Sequence, residues 1–181
     1  MGTAGVFYAV PYFISVGLSP MFGYLVDTIG RKALFLMISA IVSILAFIIT
    51  LLIPMKPYIG APPQYLMIIP LVFIGIGCSI FFGAFWSSIP YTVPPSVIGT
   101  AYGLFTALTN MYIIAGTLIG PIFLDSKPDK KDVYVSLNVY YILVSLLGLV
   151  FILWLYQDDI QNRDGILNKV DEDISLEEAT P

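Results

Sequence analysis

The sequence predicts an all-α integral membrane protein with five membrane-crossing helices, and three observations support that fold class. Of the 181 residues, 58% are hydrophobic and 11% are charged, whereas soluble domains average roughly 25% charged residues. Long apolar runs recur along the chain, and about 20 apolar residues suffice for a helix to cross the hydrocarbon core of a bilayer. The charged residues fall between or after these runs, so short polar connections separate the predicted helices.

The predicted spans share an uncharged apolar character and lie at about residues 4–26, 33–54, 65–87, 98–124 and 133–156. Proline-rich stretches divide the second span from the third and the third from the fourth. The second and fifth spans contain few polar residues, which predicts outer, lipid-facing helices. The first and fourth spans carry polar side chains at helical spacing, which predicts that these helices face other helices or an aqueous cavity.

The polar stripe of the first span consists of Tyr8, Tyr12, Ser15, Ser19 and Gly23, which fall on one side of a helix. Hydroxyl groups that face lipid would lack hydrogen-bond partners. We therefore expect Tyr8, Tyr12 and Ser15 to line a substrate cavity, with helix packing as the alternative.

The third and fourth spans supply three more cavity candidates, Trp86, Thr106 and Asn110. Asn110 lies near the expected midplane, where an amide is costly to bury, so it is the strongest single candidate. An interhelical hydrogen bond is the alternative for Asn110, and a place in the interfacial aromatic belt is the alternative for Trp86. Small residues that allow close helix packing are predicted at Gly99, Gly103, Gly116 and Gly120.

A short polar hinge joins the first two spans, and its characteristic residues are Gly23, Asp27, Gly30, Arg31 and Lys32. The spacing resembles the loop signature of the major facilitator superfamily, which follows the second helix of each half of these transporters. The resemblance implies that the carboxylate of Asp27 docks on a helix end in the opposite half. These five residues are therefore predicted to form a conformational latch at the cytoplasmic side.

A second stretch resembles the lysosomal dipeptide transporter branch of that superfamily through Trp86, Pro94, residues 99–103, Asn110 and Asp125. The resemblance covers about residues 12–156 and implies a truncated C-terminal bundle: the last five helices of a twelve-helix transporter. Residues 1–156 would then form a partial transporter domain whose N-terminal half is missing. It further implies small peptides as substrates, a lysosomal or other endomembrane location and a heavily glycosylated accessory membrane protein as partner.

The residues after 156 are predicted to form an acidic, disordered cytoplasmic tail, and they account for most of the net charge of −4. This acidity excludes nucleic acid as a partner and excludes a polybasic lipid anchor. Basic residues are divided evenly between the two sides of the membrane, so the orientation rests on the hinge resemblance.

Transport by alternating access is the leading predicted function, whether secondary active or facilitative. The alternative is a truncated, non-transporting membrane protein that binds a partner. An enzyme is not expected: Gly77, Cys78 and Ser79 loosely resemble an intramembrane serine protease motif, but the chain has no histidine to activate the serine. No cofactor or metal site is predicted, since Cys78 is the only cysteine.

Overall fold

The computed structural model describes the backbone of residues 2–53, 63–126, 130–163 and 165–169, with side chains over residues 9–53, 65–116, 118, 133–163 and 165–169. The helices are α1 (Gly2–Ile29), α2 (Lys32–Leu52), the single-turn α3 (Pro63–Leu66), α4 (Ile68–Thr92), α5 (Ile98–Ser126) and α6 (Lys130–Asn162). Two 3-10 turns cover Pro95–Val97 and Ile166–Asn168. Within the described backbone there is no β-strand.

Five of these helices are long and apolar enough to cross a bilayer. Each overlaps one of the five spans expected from the hydropathy pattern. The prediction of an all-α membrane protein with five spans is therefore confirmed.

Helix α4 is the centre of the bundle, because it packs against both α1 and α2, and α6 also packs against α2. Small residues of α4 make these close approaches possible. A β-carbon at Gly75 would lie 2.9 Å from Ile14 Cβ, and one at Gly83 would lie 3.0 Å from the backbone nitrogen of Gly23. Both contacts bring backbones together in the manner of membrane helix pairs. They also establish that α1 and α4 run in the same direction.

The apolar core lies near the hinge end of the bundle and consists of Val26, Phe35, Leu36, Ile80 and Ala84. The opposite face of α2 is an exposed aliphatic stripe, formed by Leu34, Ile38, Ile41, Leu45 and Ile48. The lipid-facing character predicted for α2 therefore belongs to one face, while its other face is packed against α4 and α6.

Helix α6 continues to Asn162, past the predicted end at 156, and residues 165–169 turn back against the bundle. We call residues 165–169 the C-terminal turn. The structure thus differs from the expected disorder of the tail in this part, because Leu167 is buried there. Residues 170–181 lie outside the described residues.

Candidate functional site

The hinge between α1 and α2 is a turn made by two residues in left-handed backbone conformation. Gly30 has φ +70° and Arg31 has φ +46°. The Gly30 N–H donates to the carbonyl of Val26 at 2.9 Å, which closes the last turn of α1. Glycine adopts this conformation without steric cost, whereas for arginine the same conformation is strained. The predicted tight turn is therefore present at the predicted residues.

Lys32, the first residue of α2, is fully buried at 0% exposure. Its Nζ lies 3.7 Å from the centroid of the Tyr91 ring, near the end of α4. A cation over an aromatic face is attracted by the ring quadrupole, most strongly where water is excluded. Arg31, in contrast, is exposed. The latch cations thus separate into one that fixes α2 to α4 and one that faces solvent.

The C-terminal turn lies directly on the hinge. A β-carbon at Gly30 would lie 2.9 Å from the carbonyl oxygen of Lys169. The turn is held by Asp159, which is 1% exposed and accepts the Leu167 N–H with both carboxylate oxygens, at 3.2 and 3.3 Å. Asn168 Nδ2 also reaches this carboxylate, at 3.5 Å. The end of α6 is therefore fastened to the connection between α1 and α2.

A groove between α1 and α4 opens beside the hinge, with a volume of about 500 Å³. We call it the hinge groove, and it is lined by Ser19, Gly23, Asp27, Phe82, Gly83, Trp86 and Ser87. Asp27 is exposed and is the only charged residue among the described residues that line the groove. Two of the predicted latch residues and one predicted cavity residue therefore meet in one place.

The α1 candidates lie along the face that continues away from this groove. The hydroxyls of Ser15 and Ser19 are 3.3 Å apart, one helical turn from each other. Tyr12 is 74% exposed. Tyr8 belongs to α1, but its side chain lies outside the described residues.

Trp86 joins α4 to α5 in addition to lining the groove. Its ring stacks on Tyr102 with a centroid distance of 5.2 Å and meets Phe105 edge-on at 5.1 Å. The Tyr102 hydroxyl donates to the Trp86 carbonyl at 3.2 Å. Trp86 is consequently a packed residue with one side open to the groove.

Thr106 and Asn110 lie on exposed parts of α5, outside the hinge groove. Each side chain donates a hydrogen bond within its own helix: Thr106 to the Tyr102 carbonyl at 2.8 Å, and Asn110 to the Thr106 carbonyl at 3.0 Å. Such local bonds satisfy a polar group in an apolar helix. The structure therefore does not bring Asn110 together with Asp27 and Trp86.

The described glycines of α5 that were predicted to allow close helix packing make no such contact with other described residues. A β-carbon at Gly99, Gly103 or Gly116 would have no described neighbour within 4 Å. Gly120 lies outside the residues whose side-chain surroundings are described. The close helix contacts are made instead by Gly75, Gly77 and Gly83 of α4.

Sequence reasoning gave no role to Tyr91, Asp159 and Leu167. The sequence does contain a pattern that indicates the packed turn of Asp159 and Leu167. Ile166 and Leu167 form an apolar pair directly after Gly165 in an otherwise acidic stretch. For Tyr91, an aromatic residue at the hinge end of a helix was the available signal.

The hinge groove is suited to binding a solute. It presents one carboxylate, two serine hydroxyls and an indole ring, which can hydrogen-bond a polar solute or pair with a cationic group. Across the described residues, no cluster of histidine, cysteine and carboxylates could hold a metal ion.

The chain is similar in sequence to known transporters. The profile of the Major Facilitator Superfamily matches residues 1–177. The lysosomal dipeptide transporter MFSD1 of Danio rerio is 25% identical over 158 residues, and that of Bos taurus is 26% identical over 153 residues. Human MFSD1 is likewise 26% identical over 153 residues.

The matched regions cover 87%, 84% and 84% of this chain, but only 31%, 30% and 30% of these relatives. The chain thus spans about a third of the length of the curated relatives that it resembles. No solved structure matches it significantly. Five apolar helices, the first two joined by the glycine, aspartate and basic hinge, together with a family match over nearly the whole length, identify the chain as a member of the major facilitator superfamily.

Proposed function

We propose that this chain forms part of a carrier that moves small peptides across the lysosomal or another endomembrane by alternating access. The observation that carries the proposal is the hinge groove, in which Asp27, Ser19 and Trp86 face one water-accessible space between α1 and α4. Carriers bind their substrates between helices and expose them by rocking one bundle against another. The similarity to lysosomal dipeptide transporters supports small peptides as the substrate class.

The position of Asp27 supports a latch role for this residue. The carboxylate lies near the last turn of α1, is exposed, and is free of an ion pair with any described residue. A carboxylate in this position can accept hydrogen bonds from the N-terminus of another helix, where the helix dipole favours negative charge. Docking and release of Asp27 would then accompany closing and opening of the cytoplasmic side.

Uptake of a radiolabelled dipeptide by proteoliposomes tests the proposal, with the protein expressed from its complete coding sequence. Asp27→Asn should slow uptake roughly 3- to 10-fold, equivalent to the about 0.7–1.4 kcal/mol that a carboxylate contributes at a helix terminus. Asp158→Asn is the matched control, since Asp158 is another carboxylate at the same end of the bundle but outside the groove. Its uptake rate should equal that of the unmodified protein.

Absence of dipeptide uptake by a folded protein would contradict the carrier proposal and favour a non-transporting membrane partner. We also propose, from the family resemblance, that a heavily glycosylated accessory membrane protein binds this carrier. Co-purification of such a protein from detergent-solubilised lysosomes would support it, and its absence from the purified carrier would refute it.

A further inference from the structure

A second cavity, of about 460 Å³, lies between α2, α4 and α6. Thr50 near the end of α2, Met67 just before α4 and Tyr134 near the start of α6 mark its mouth. Because α2 begins at the hinge, this mouth is at the opposite end of the bundle. We call the cavity the distal pocket, and none of its described lining residues belongs to the hinge groove.

The polar groups of the distal pocket gather at its mouth. The Tyr134 hydroxyl donates to the Thr50 carbonyl. Asn138 is 7% exposed, and its Nδ2 donates to the Tyr134 carbonyl at 2.9 Å. The Asn138 carboxamide oxygen accepts no hydrogen bond from the described residues. No fully buried side-chain oxygen lacks a partner in the described part of the chain, so this oxygen retains access to the space beside it.

The deeper walls are apolar and partly aromatic. Phe47 and Tyr141 stack with a centroid distance of 5.2 Å, and Leu71, Ile74 and Leu137 complete the wall. Among the described residues that line the pocket there is no Asp, Glu, Lys or Arg. An ion, a peptide terminus or a phosphate group would therefore lie against this lining without a countercharge from it, which is costly in an apolar site. The pocket instead suits a neutral molecule with one polar end and a long apolar body.

The direction of the pocket matches a molecule that comes from the bilayer. Its mouth lies at the helix ends. Its apolar part extends inward by about one helical turn along α2, from Thr50 to Phe47, and by about two turns along α6, from Tyr134 to Tyr141. The Asn138 carboxamide oxygen can accept a hydrogen bond from a donor in the pocket, such as a hydroxyl group. Sterols combine one hydroxyl at the interface with a rigid apolar ring system below it.

We propose that the distal pocket binds a membrane sterol, whose hydroxyl donates to Asn138 Oδ1 and whose rings lie against Phe47, Leu71 and Ile74. The site is separate from the hinge groove, so it is independent of the identity of the transported solute.

Crosslinking with a photoreactive sterol in liposomes, followed by mass spectrometry of the labelled peptides, tests this site in the whole protein. Labelling should fall on α4 and α6 around Leu71 and Asn138 and should be displaced by unlabelled sterol. Asn138→Leu should weaken binding about 5-fold, the loss expected for one neutral hydrogen bond. Leu71→Trp, which fills the pocket, should reduce labelling by roughly 10-fold or more.

Leu146→Trp is the matched control, because Leu146 is exposed on α6 outside the pocket, and its labelling should be unchanged. Asn138 also bonds its own helix, so Leu71→Trp decides the outcome if Asn138→Leu does not fold. Undiminished labelling in folded Leu71→Trp would overturn the proposal. A photoreactive phospholipid that labels the same peptides without displacement by sterol would also overturn it, since the occupant would then be an acyl chain.

Discussion

At the scale of single residues, the hinge is fixed by a buried cation and a glycine that no other residue can replace without strain. Lys32 is enclosed at the start of α2, and its ammonium group faces the Tyr91 ring. Burial of a lysine is costly unless its charge is compensated. The aromatic face supplies part of that compensation and connects α2 to the end of α4.

Tyr91→Leu should therefore destabilise the protein by about 1–2 kcal/mol, because it removes the π-face while keeping most of the apolar volume. Tyr91→Phe retains the ring and should cost less stability than Tyr91→Leu. Thermal unfolding in detergent can be followed by thiol labelling, since Cys78 is a half-buried free cysteine. Equal losses in the two variants would mean that the hydroxyl group of Tyr91, and not its ring face, stabilises this contact.

Gly30→Ala should cost about 2 kcal/mol or more, because alanine is disfavoured by 1–2 kcal/mol at positive φ and its β-carbon would collide with the Lys169 carbonyl. Gly17→Ala is the control: Gly17 is in α1 and has open space around it, so alanine there should be neutral or stabilising by up to about 1 kcal/mol. The same unfolding assay measures both. A Gly30→Ala protein as stable as Gly17→Ala would contradict the close approach of the C-terminal turn.

At the scale of secondary-structure elements, hydropathy and charge predict how many helices there are better than where they end. Pro90 suggested an end of the third span at 87, yet α4 continues through Pro90 to Thr92. Proline lacks an N–H and leaves the carbonyl four residues earlier without its helical donor. That carbonyl belongs to Trp86, and the Tyr102 hydroxyl of α5 donates to it. A contact between helices thus completes the hydrogen bonding, and no pattern within α4 could have predicted it.

A double-mutant cycle tests this substitution of donors. Tyr102→Phe should destabilise the protein by about 1 kcal/mol, the usual cost of one lost hydrogen bond. In a Pro90→Ala background the alanine N–H can serve the Trp86 carbonyl, so Tyr102→Phe should cost much less there. Thermal unfolding of the four proteins gives the coupling energy. Additive effects would show that the Tyr102 hydroxyl does not replace the missing N–H.

At the scale of the whole molecule, the hinge and the C-terminal turn lie at the same end of the bundle, which the contact between Gly30 and Lys169 establishes. The family resemblance of the hinge predicts that both lie on the cytoplasmic side. The structure shows that the hinge and the C-terminal turn share one end of the bundle. The side of the membrane on which this end lies is a prediction from the family resemblance.

Cysteine labelling with a membrane-impermeant maleimide tests both statements. Ile29→Cys and Gln161→Cys, each made in a Cys78→Ala background, place single thiols at exposed positions of the hinge and of the end of α6. Both should react from the cytosolic side only. Reaction of the two from opposite sides would contradict the fold, and reaction of both from the lumen would reverse the orientation alone.

The candidate site was partly predictable for a physical reason. Asp27 and Trp86 lie at the hinge ends of their helices, so helix lengths and order alone bring them to one level of the bundle. The C-terminal turn was not predictable in this way. An aspartate in an acidic stretch indicates a solvated residue, and only the folded chain brings the Leu167 N–H to Asp159. For Asn110, the argument from burial cost assumed neighbours that the described residues do not supply.

Fastening the end of α6 to the connection between α1 and α2 has a mechanical consequence. A tilt of α6 should also displace that connection, because the Lys169 carbonyl lies directly against Gly30. A displacement of the end of α6 would therefore be transmitted to the connection between α1 and α2. Helices α2 and α6 and the hinge end of the groove would then move together as one unit.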